Sequence, residues 1–458
     1  MRNSFKTPKQ RARSVTLVST TIRNDRAARA EAADDFGHLV HHTPDVVLRP
    51  MSNQDVAAAI RRAAGQGRRF AAQGQRHSVF GRGQVDGGIV ADMTGMHTVH
   101  DVGDDRVTVG AGATWRKVLA ATLPSGCFPP AVPDYLDLSV GGTLAVGGVG
   151  ARISAFGAQT DNVVELQVVT GNGEEVTGSA DREADLFDAV RAGLGQVAVV
   201  TTATLTLVPA PRQVHRLLLF YPDLPTMLHD QRLLVVDGRF DAVQGAVLPA
   251  PDGGWTFRLD AVVDCATNPP DDAALLDGLS ADRDLTQSST STHLEHLARL
   301  DALEQALRAH GMWDLPHPWL MTFVGDSAVE SVVSAELDRL TPSDLGPFGQ
   351  VSLSAFRSRS VTSPMLRLPT DDVCHAVNLV RIPTTDSTAE AARLVAANRA
   401  AYDRVRAAGG ALYPVSALPM SPDDWRTHFG PVFAQLAAAK RRYDPGHVLT
   451  PGYEVFGT

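Results

Sequence analysis

One histidine in this chain stands where residue types and spacing suit chemistry. His77 lies in Gly74-Gln75-Arg76-His77-Ser78-Val79-Phe80-Gly81, a turn punctuated by glycines at 74, 81 and 83 directly after a short apolar strand. Glycine allows positive φ and close backbone approach, so the N–H groups of Gln75 to Ser78 can be aimed at a diphosphate, as in other anion-binding nests. A lone His-Ser in a loop is otherwise structural or solvated. Asp134, in V-P-D-Y after Pro133, is either a base or the start of an ordinary turn. Trp319, in Pro316-His317-Pro318-Trp319-Leu320, is either the flat wall of a slot or plain core.

Two other constellations carry less. His38, His41 and His42 cluster near the start of the chain without a carboxylate or cysteine at ligand spacing, which favours solvated or packing histidines over a metal site. Gly147-Gly148-x-Gly150 lacks the strand, G-x-G-x-x-G and helix order of a dinucleotide fingerprint, so NAD binding is not expected.

The elements that would position these residues form an α+β pattern. Ser52 with Asp55 three residues on signals a helix start, and Val56, Ile60 and Ala63 keep helical spacing to about Ala64. Strands are predicted at Arg69 to Ala72, Gly88 to Asp92 and Arg106 to Gly110, a helix at Trp115 to Leu123, and a hairpin at Val163 to Thr177 turning at Gly171-Asn172-Gly173. Thr202, Thr204 and Thr206 alternate with apolar residues in a half-buried strand. Pro209-Ala210-Pro211 reads as a boundary, beyond which come longer strands such as Arg216 to Tyr221 and Trp255 to Val263, and a helical stretch around Leu294 to His310. Another helical stretch is predicted at Asp423 to Arg442, before a Thr450-Pro451-Gly452-Tyr453 loop, and Asn268 to Asp272 reads as a surface loop.

Composition bounds the partners. The 458 residues suffice for two or three domains, and 44% hydrophobic with 20% charged residues is ordinary for a globular enzyme. A net charge of −9 repels nucleic acid and anionic lipid, so no partner of either kind is expected. Cys127, Cys265 and Cys374 are too few and too scattered for a disulfide framework, which fits a reducing cytoplasm. Residues 1–33 are basic without an apolar core segment, so a loosely packed or disordered tail is expected rather than a signal peptide, and no window reaches the length of a membrane span.

Several blocks in order resemble the cytokinin dehydrogenases, within the wider vanillyl-alcohol-oxidase-like family of FAD enzymes. They include D-F-G-H-L from Asp35, the histidine turn in place of G-R-G-H-S-x-x-G, Asp134-Tyr135-Leu136 with S-V-G-G-T-L from Ser139, and F-G-A-Q-T-D-N-V-V-E-L from Phe156. A-G-L-G-Q-V from Ala192, P-H-P-W-L from Pro316, D-W-R-T-H-F-G from Asp424 and Y-D-P-G-H-V-L-T-P-G from Tyr443 follow. The resemblance, running from about Asp34 to Phe456, implies a two-domain PCMH-type FAD-binding fold whose substrate (cap) domain is built on an antiparallel sheet. The expected division is a tail over 1–33, an FAD-binding domain over 34–211, a substrate domain over 212–422 and a return to the first domain over 423–458.

The same resemblance implies FAD attached at one point, through His77, since Gly141 to Arg152 holds no cysteine for a second link. Ala72, Gly74, Gln75, Arg76, Ser78, Arg82, Gly83, Ser139, Gly142, Thr143, Ala145, Val149, Val200, Tyr413 and Tyr453 are the other implied cofactor contacts. Asp134 matches the family's catalytic aspartate and Trp319 its active-site tryptophan. There are departures. Arg76 stands for a family glycine and Arg82 for a glutamine, both offering guanidinium to phosphate oxygens, although Arg76 cannot take glycine-only angles. Met321 replaces a family asparagine, and the acidic residue at the pocket mouth falls near Leu303 and Glu304 without a clean match. The implied activity is hydride removal from a C–N or C–O bond of a small, partly planar molecule, with electrons passing to oxygen or a quinone-like acceptor. A sugar or alditol oxidase of the same superfamily, and a redox-silent flavin-binding protein, remain as alternatives.

Overall fold

A computed structural model describes residues 21–449, apart from 252 and 267, and residues 451–457. Its first sheet orders Thr21–Ile22, Val46–Arg49, Ile89–Asp92 and Phe70–Gln73, the last three running parallel. Helix Asn53–Gly65 begins where the sequence signals it. The Ser52 side chain accepts from the Asp55 N–H, and Val56, Ala57, Ile60 and Ala63 are buried against the sheet. Asp55 in turn accepts from the N–H of Met51. Residues 21–33 do not extend the expected tail, because Thr21–Ile22 pairs with Val46–Arg49 and helix Arg26–Ala32 buries Ala28 and Ala32. The rest of that expected tail, and Thr450, lie outside the described residues.

A second, antiparallel sheet orders Val99–Val102, Arg106–Gly110, Ala198–Thr206, Val163–Thr170 and Glu175–Ser179. The predicted hairpin turns at Gly173, whose φ of +75° suits glycine and lets its N–H donate to the Thr170 carbonyl.

After Ala210 the chain enters an eight-stranded, wholly antiparallel sheet that runs from Gln287–Thr292 at one edge to Ala411–Leu412 at the other. Helices Leu224–Asp237, Asp326–Leu337 and Thr388–Ala407 pack on this sheet. Alternation along Gln213–Tyr221 shows its two sides: Leu217, Leu219 and Tyr221 are buried, whereas Arg216, Leu218 and Phe220 are half-buried. The helical stretch expected near Leu294 to His310 is two helices, His293–Leu297 and Asp301–Ala309. The last stretch is likewise split into Pro422–Phe429 and Phe433–Tyr443 by a turn through Gly430 and Pro431, since proline cannot donate to the helical ladder.

The final helix docks beside Ala184–Val190 and carries a buried lysine. Lys440 donates to the carbonyls of Gln196 and Leu449 and to Asp444, whose carboxylate also accepts from the Val448 and Leu449 N–H groups. The chain end is thereby fastened to the first domain, as a parallel bridge between Phe70 and Leu449 also shows. No helix among the described residues is long and apolar enough to cross a membrane.

Candidate active site

A cleft opens between the loop after Phe70–Gln73, the segment from Leu138 to Val146 and the start of Ala198–Thr206, with Leu449, Pro451 and Tyr453 at its back. Gly74 lets the first two walls meet, because a Cβ there would stand 1.9 Å from Ser139 Oγ. The N–H groups of Gln75 through Phe80 have no acceptor among the described residues, as an anion cradle requires. Apolar Val190, Leu194, Val199 and Val200 line the deeper wall. This combination of free donors at one end and an apolar slot at the other fits FAD. Of the sixteen expected cofactor contacts, all but Val149 and Tyr413 line the cleft. Those two meet each other, the Val149 N–H donating to the Tyr413 hydroxyl at 3.2 Å.

His77 stands in a column of rings at the cleft edge. Phe36 stacks on it at 4.0 Å, His317 stacks on the far side of Phe36 at 3.9 Å, and Tyr135 covers the other face of His77 at 4.7 Å. Trp319 meets His77 edge-on at 6.3 Å. This surrounding surface holds the His77 pKa down to about 3, and the neighbouring His317 ring adds to the effect. The imidazole is therefore neutral across the physiological range, and neither ring nitrogen has a hydrogen-bond partner among the described residues. His317 is wholly buried and donates through Nδ1 to the Phe36 carbonyl, 2.9 Å away.

The opening block fastens the histidine turn from beneath. Phe36 N–H donates to the Arg76 carbonyl and Gly37 N–H to that of Ser78. Asp35 accepts from Ser78 Oγ at 2.8 Å and from the N–H groups of Gly81 and Gly37. Burial pushes the Asp35 carboxyl up to about 6 from an ordinary 3.8, although those three donors pull the other way. The folded protein thus binds a proton at Asp35 more tightly than the unfolded chain does. The stability this group contributes is fully present below about pH 4 and is lost as pH rises through about 6. Asp35→Asn is expected to flatten the fall in thermal midpoint across that window. Parallel curves for the two proteins between those pH values would contradict it.

Both arginine departures line the cleft, and each guanidinium has a protein partner. Arg76 does take a left-handed backbone, φ +54°, at a cost of about 1–2 kcal/mol for a residue with a Cβ. Its guanidinium pairs with Glu31 on the Arg26–Ala32 helix. Arg82 lines the cleft, but its guanidinium donates to the carbonyls of Gly452, Ser416 and Leu418 among the rings of Phe80, Trp425 and Tyr453. It ties the chain end to the histidine turn.

Asp134 and Trp319 do not line the cleft; they flank it. Arg299 donates to Asp134 Oδ1 at 2.6 Å and Gln244 Nε2 to Oδ2 at 2.9 Å, so this carboxylate links the first domain to the eight-stranded sheet. Trp319 Nε1 donates to the Arg381 carbonyl while its ring packs against Phe36 at 5.4 Å. Glu304 neighbours the Tyr135 hydroxyl, whose pKa is raised by burial first and by that carboxylate second. Phe36, His317, Arg299 and Gln244 went unassigned in the sequence, because only folding brings them to the site. His38 and His41 both turn to Asp34, at 2.8 and 3.4 Å, and no three His, Cys, Asp or Glu side chains converge on a metal-sized site among the described residues.

Comparison with known proteins agrees with this geometry. Residues 44–179 match a family model described as an FAD binding domain, and residues 269–456 match one described as cytokinin dehydrogenase 1, FAD and cytokinin binding. An uncharacterized oxidoreductase, ORF5 in the fasciation locus of Rhodococcoides fascians, is 40% identical over 93% of this chain and 96% of its own. Cytokinin dehydrogenases 10 and 7 of Oryza sativa subsp. japonica are 34% and 32% identical, over 96% of this chain and 89% and 92% of theirs. The chain belongs to the family of FAD-binding oxidoreductases that includes the cytokinin dehydrogenases.

Proposed function

We propose that this oxidoreductase removes hydride from a C–N or C–O bond of a small, partly planar molecule, and that its FAD is held covalently through His77 alone. The observation that carries the reading is a neutral imidazole gripped between two rings at the cleft edge with both nitrogens uncommitted. Such a ring is a ready nucleophile in a fixed orientation. FAD bound there would accept the hydride and pass the electrons to oxygen or a quinone-like acceptor.

The remaining roles fall to side chains around the cleft. Asp134 accepts a hydrogen bond from the substrate N–H or O–H and takes its proton. A carboxylate has about four acceptor positions, so the bonds from Arg299 and Gln244 leave room for this one. Trp319, edge-on to His77, offers a flat wall that limits the substrate's freedom. Met321, half-buried two residues on, makes that wall more apolar than the family asparagine would.

Anaerobic mixing with isopentenyladenine, with aromatic and allylic amines and alcohols, and with polyols tests the reading. Rapid bleaching of the flavin by the planar compounds is expected. Bleaching by polyols alone would overturn it in favour of a sugar or alditol oxidase, and strong activity on isopentenyladenine would show that Met321 does not disfavour an adenine ring.

A further inference from the structure

The half-buried side of the eight-stranded sheet carries an arginine that has no hydrogen-bonded or ion-pair partner among the described residues. Cross-strand partners point to the same side, so register places Arg258 beside Phe220 and Ala246, Ala246 beside Ser352, Ser352 beside Asn378, and Asn378 beside Met321. Gln244, the residue that holds Asp134, is directly opposite Asp260 in the next row. Arg258 is therefore the diagonal neighbour of Gln244, with Cβ atoms roughly 7–8 Å apart. One continuous surface thus runs from Met321, beside Trp319, past the support of Asp134 to Arg258.

The charges on this surface do not balance. Arg216 grips Asp260 through two hydrogen bonds, and Arg299 grips Asp134. Arg258 has neither a hydrogen bond nor an ion pair among the described residues, and its Nε is buried without a partner. Asp260 and Asp134 are thus already engaged by other guanidiniums. His296 nearby is held neutral, its pKa lowered to about 4 by burial and by Arg299. Desolvation also lowers the Arg258 pKa, with Asp260 opposing and Arg216 reinforcing. A partly buried guanidinium without a counter-charge is unfavourable until an anion arrives. Its planar fork matches the oxygens of a carboxylate or a phosphate.

We propose that Arg258 docks an anionic group of the substrate, a carboxylate or a phosphate monoester, at the end of the molecule away from the bond that Asp134 and Trp319 attend. The inference rests on the reading that those two residues face substrate, and it narrows the substrate class to planar molecules with an acidic tail. Ser352 and Asn378, linked by a 2.9 Å hydrogen bond from Asn378 Nδ2 to Ser352 Oγ, would line the path between the two ends.

The test uses holoenzyme with Arg258 intact, with Arg258→Gln and with Arg258→Lys. Two pairs of compounds serve: isopentenyladenosine with its 5′-monophosphate, and benzylamine with 4-(aminomethyl)benzoate. Equilibrium binding is read by perturbation of the flavin spectrum with phenyl phosphate, benzoate and benzyl alcohol, and flavin reduction is read separately. In at least one pair the anionic member is expected to bind about tenfold tighter or more to the wild type, as a charge-assisted bond allows. Arg258→Gln should bring the ratio within that pair near one, and Arg258→Lys should keep part of it. The pair that responds identifies phosphate or carboxylate as the preferred anion. Equal binding within both pairs, or an equal loss for neutral and anionic members in Arg258→Gln, overturns the anion site. Arg258-dependent anion binding without bleaching by any compound would instead sink the dehydrogenase reading and leave the anion site standing.

Discussion

His77→Ala is expected to shift the flavin of the acid-precipitated protein from the pellet to the supernatant entirely, while the native protein still binds FAD without a covalent link. Two observations separate attachment from binding. The N–H groups of Gln75 through Phe80 and the apolar wall at Val190, Leu194, Val199 and Val200 owe nothing to the imidazole, so the cleft should persist without it. Attachment needs a neutral ring at a fixed angle, and that is what stacking by Phe36 and Tyr135 provides. Phe36→Leu keeps the bulk but removes the ring, and it should lower the covalent fraction without abolishing it. Denaturing electrophoresis under ultraviolet light, with the absorbance of the supernatant, measures both variants. Wild-type flavin passing wholly into the supernatant would refute the link while leaving noncovalent binding intact.

Much of this arrangement could be read from the chain because its signals are local. The helix from Asn53 follows from a capping serine and apolar residues at helical spacing, and the histidine turn follows from its glycines. The break at Gly430-Pro431 was equally local, yet the longer periodicity hid it. Two things were not legible. The Phe36–His77–Tyr135 column joins residues distant in sequence, and ring stacking leaves no periodicity to detect. Nor does an arginine in a motif reveal where its guanidinium goes. Arg82 sits in the expected position of the glycine-rich turn, but its guanidinium is tied to three carbonyls between the rings of Trp425 and Tyr453, a direction the motif does not encode.

Asp134→Asn is expected to retain bound flavin and slow its anaerobic reduction by substrate about a hundredfold or more, the usual loss when a positioned base is removed. The ion pair with Arg299 supplies the competing explanation, since a carboxylate bonded to a guanidinium and to Gln244 can also be a joint between domains. The two roles predict different partners in failure. If Asp134 is a joint, Arg299→Met should slow reduction and lower the thermal midpoint more than Asp134→Asn, which keeps an acceptor for Arg299. If Asp134 is the base, Arg299→Met only frees an acceptor position on the carboxylate, so reduction should slow far less than in Asp134→Asn. Asparagine still accepts from Arg299, so that half of the joint survives in Asp134→Asn while the proton acceptor is lost. Reduction at the wild-type rate in Asp134→Asn would assign this carboxylate to holding the sheet against the first domain.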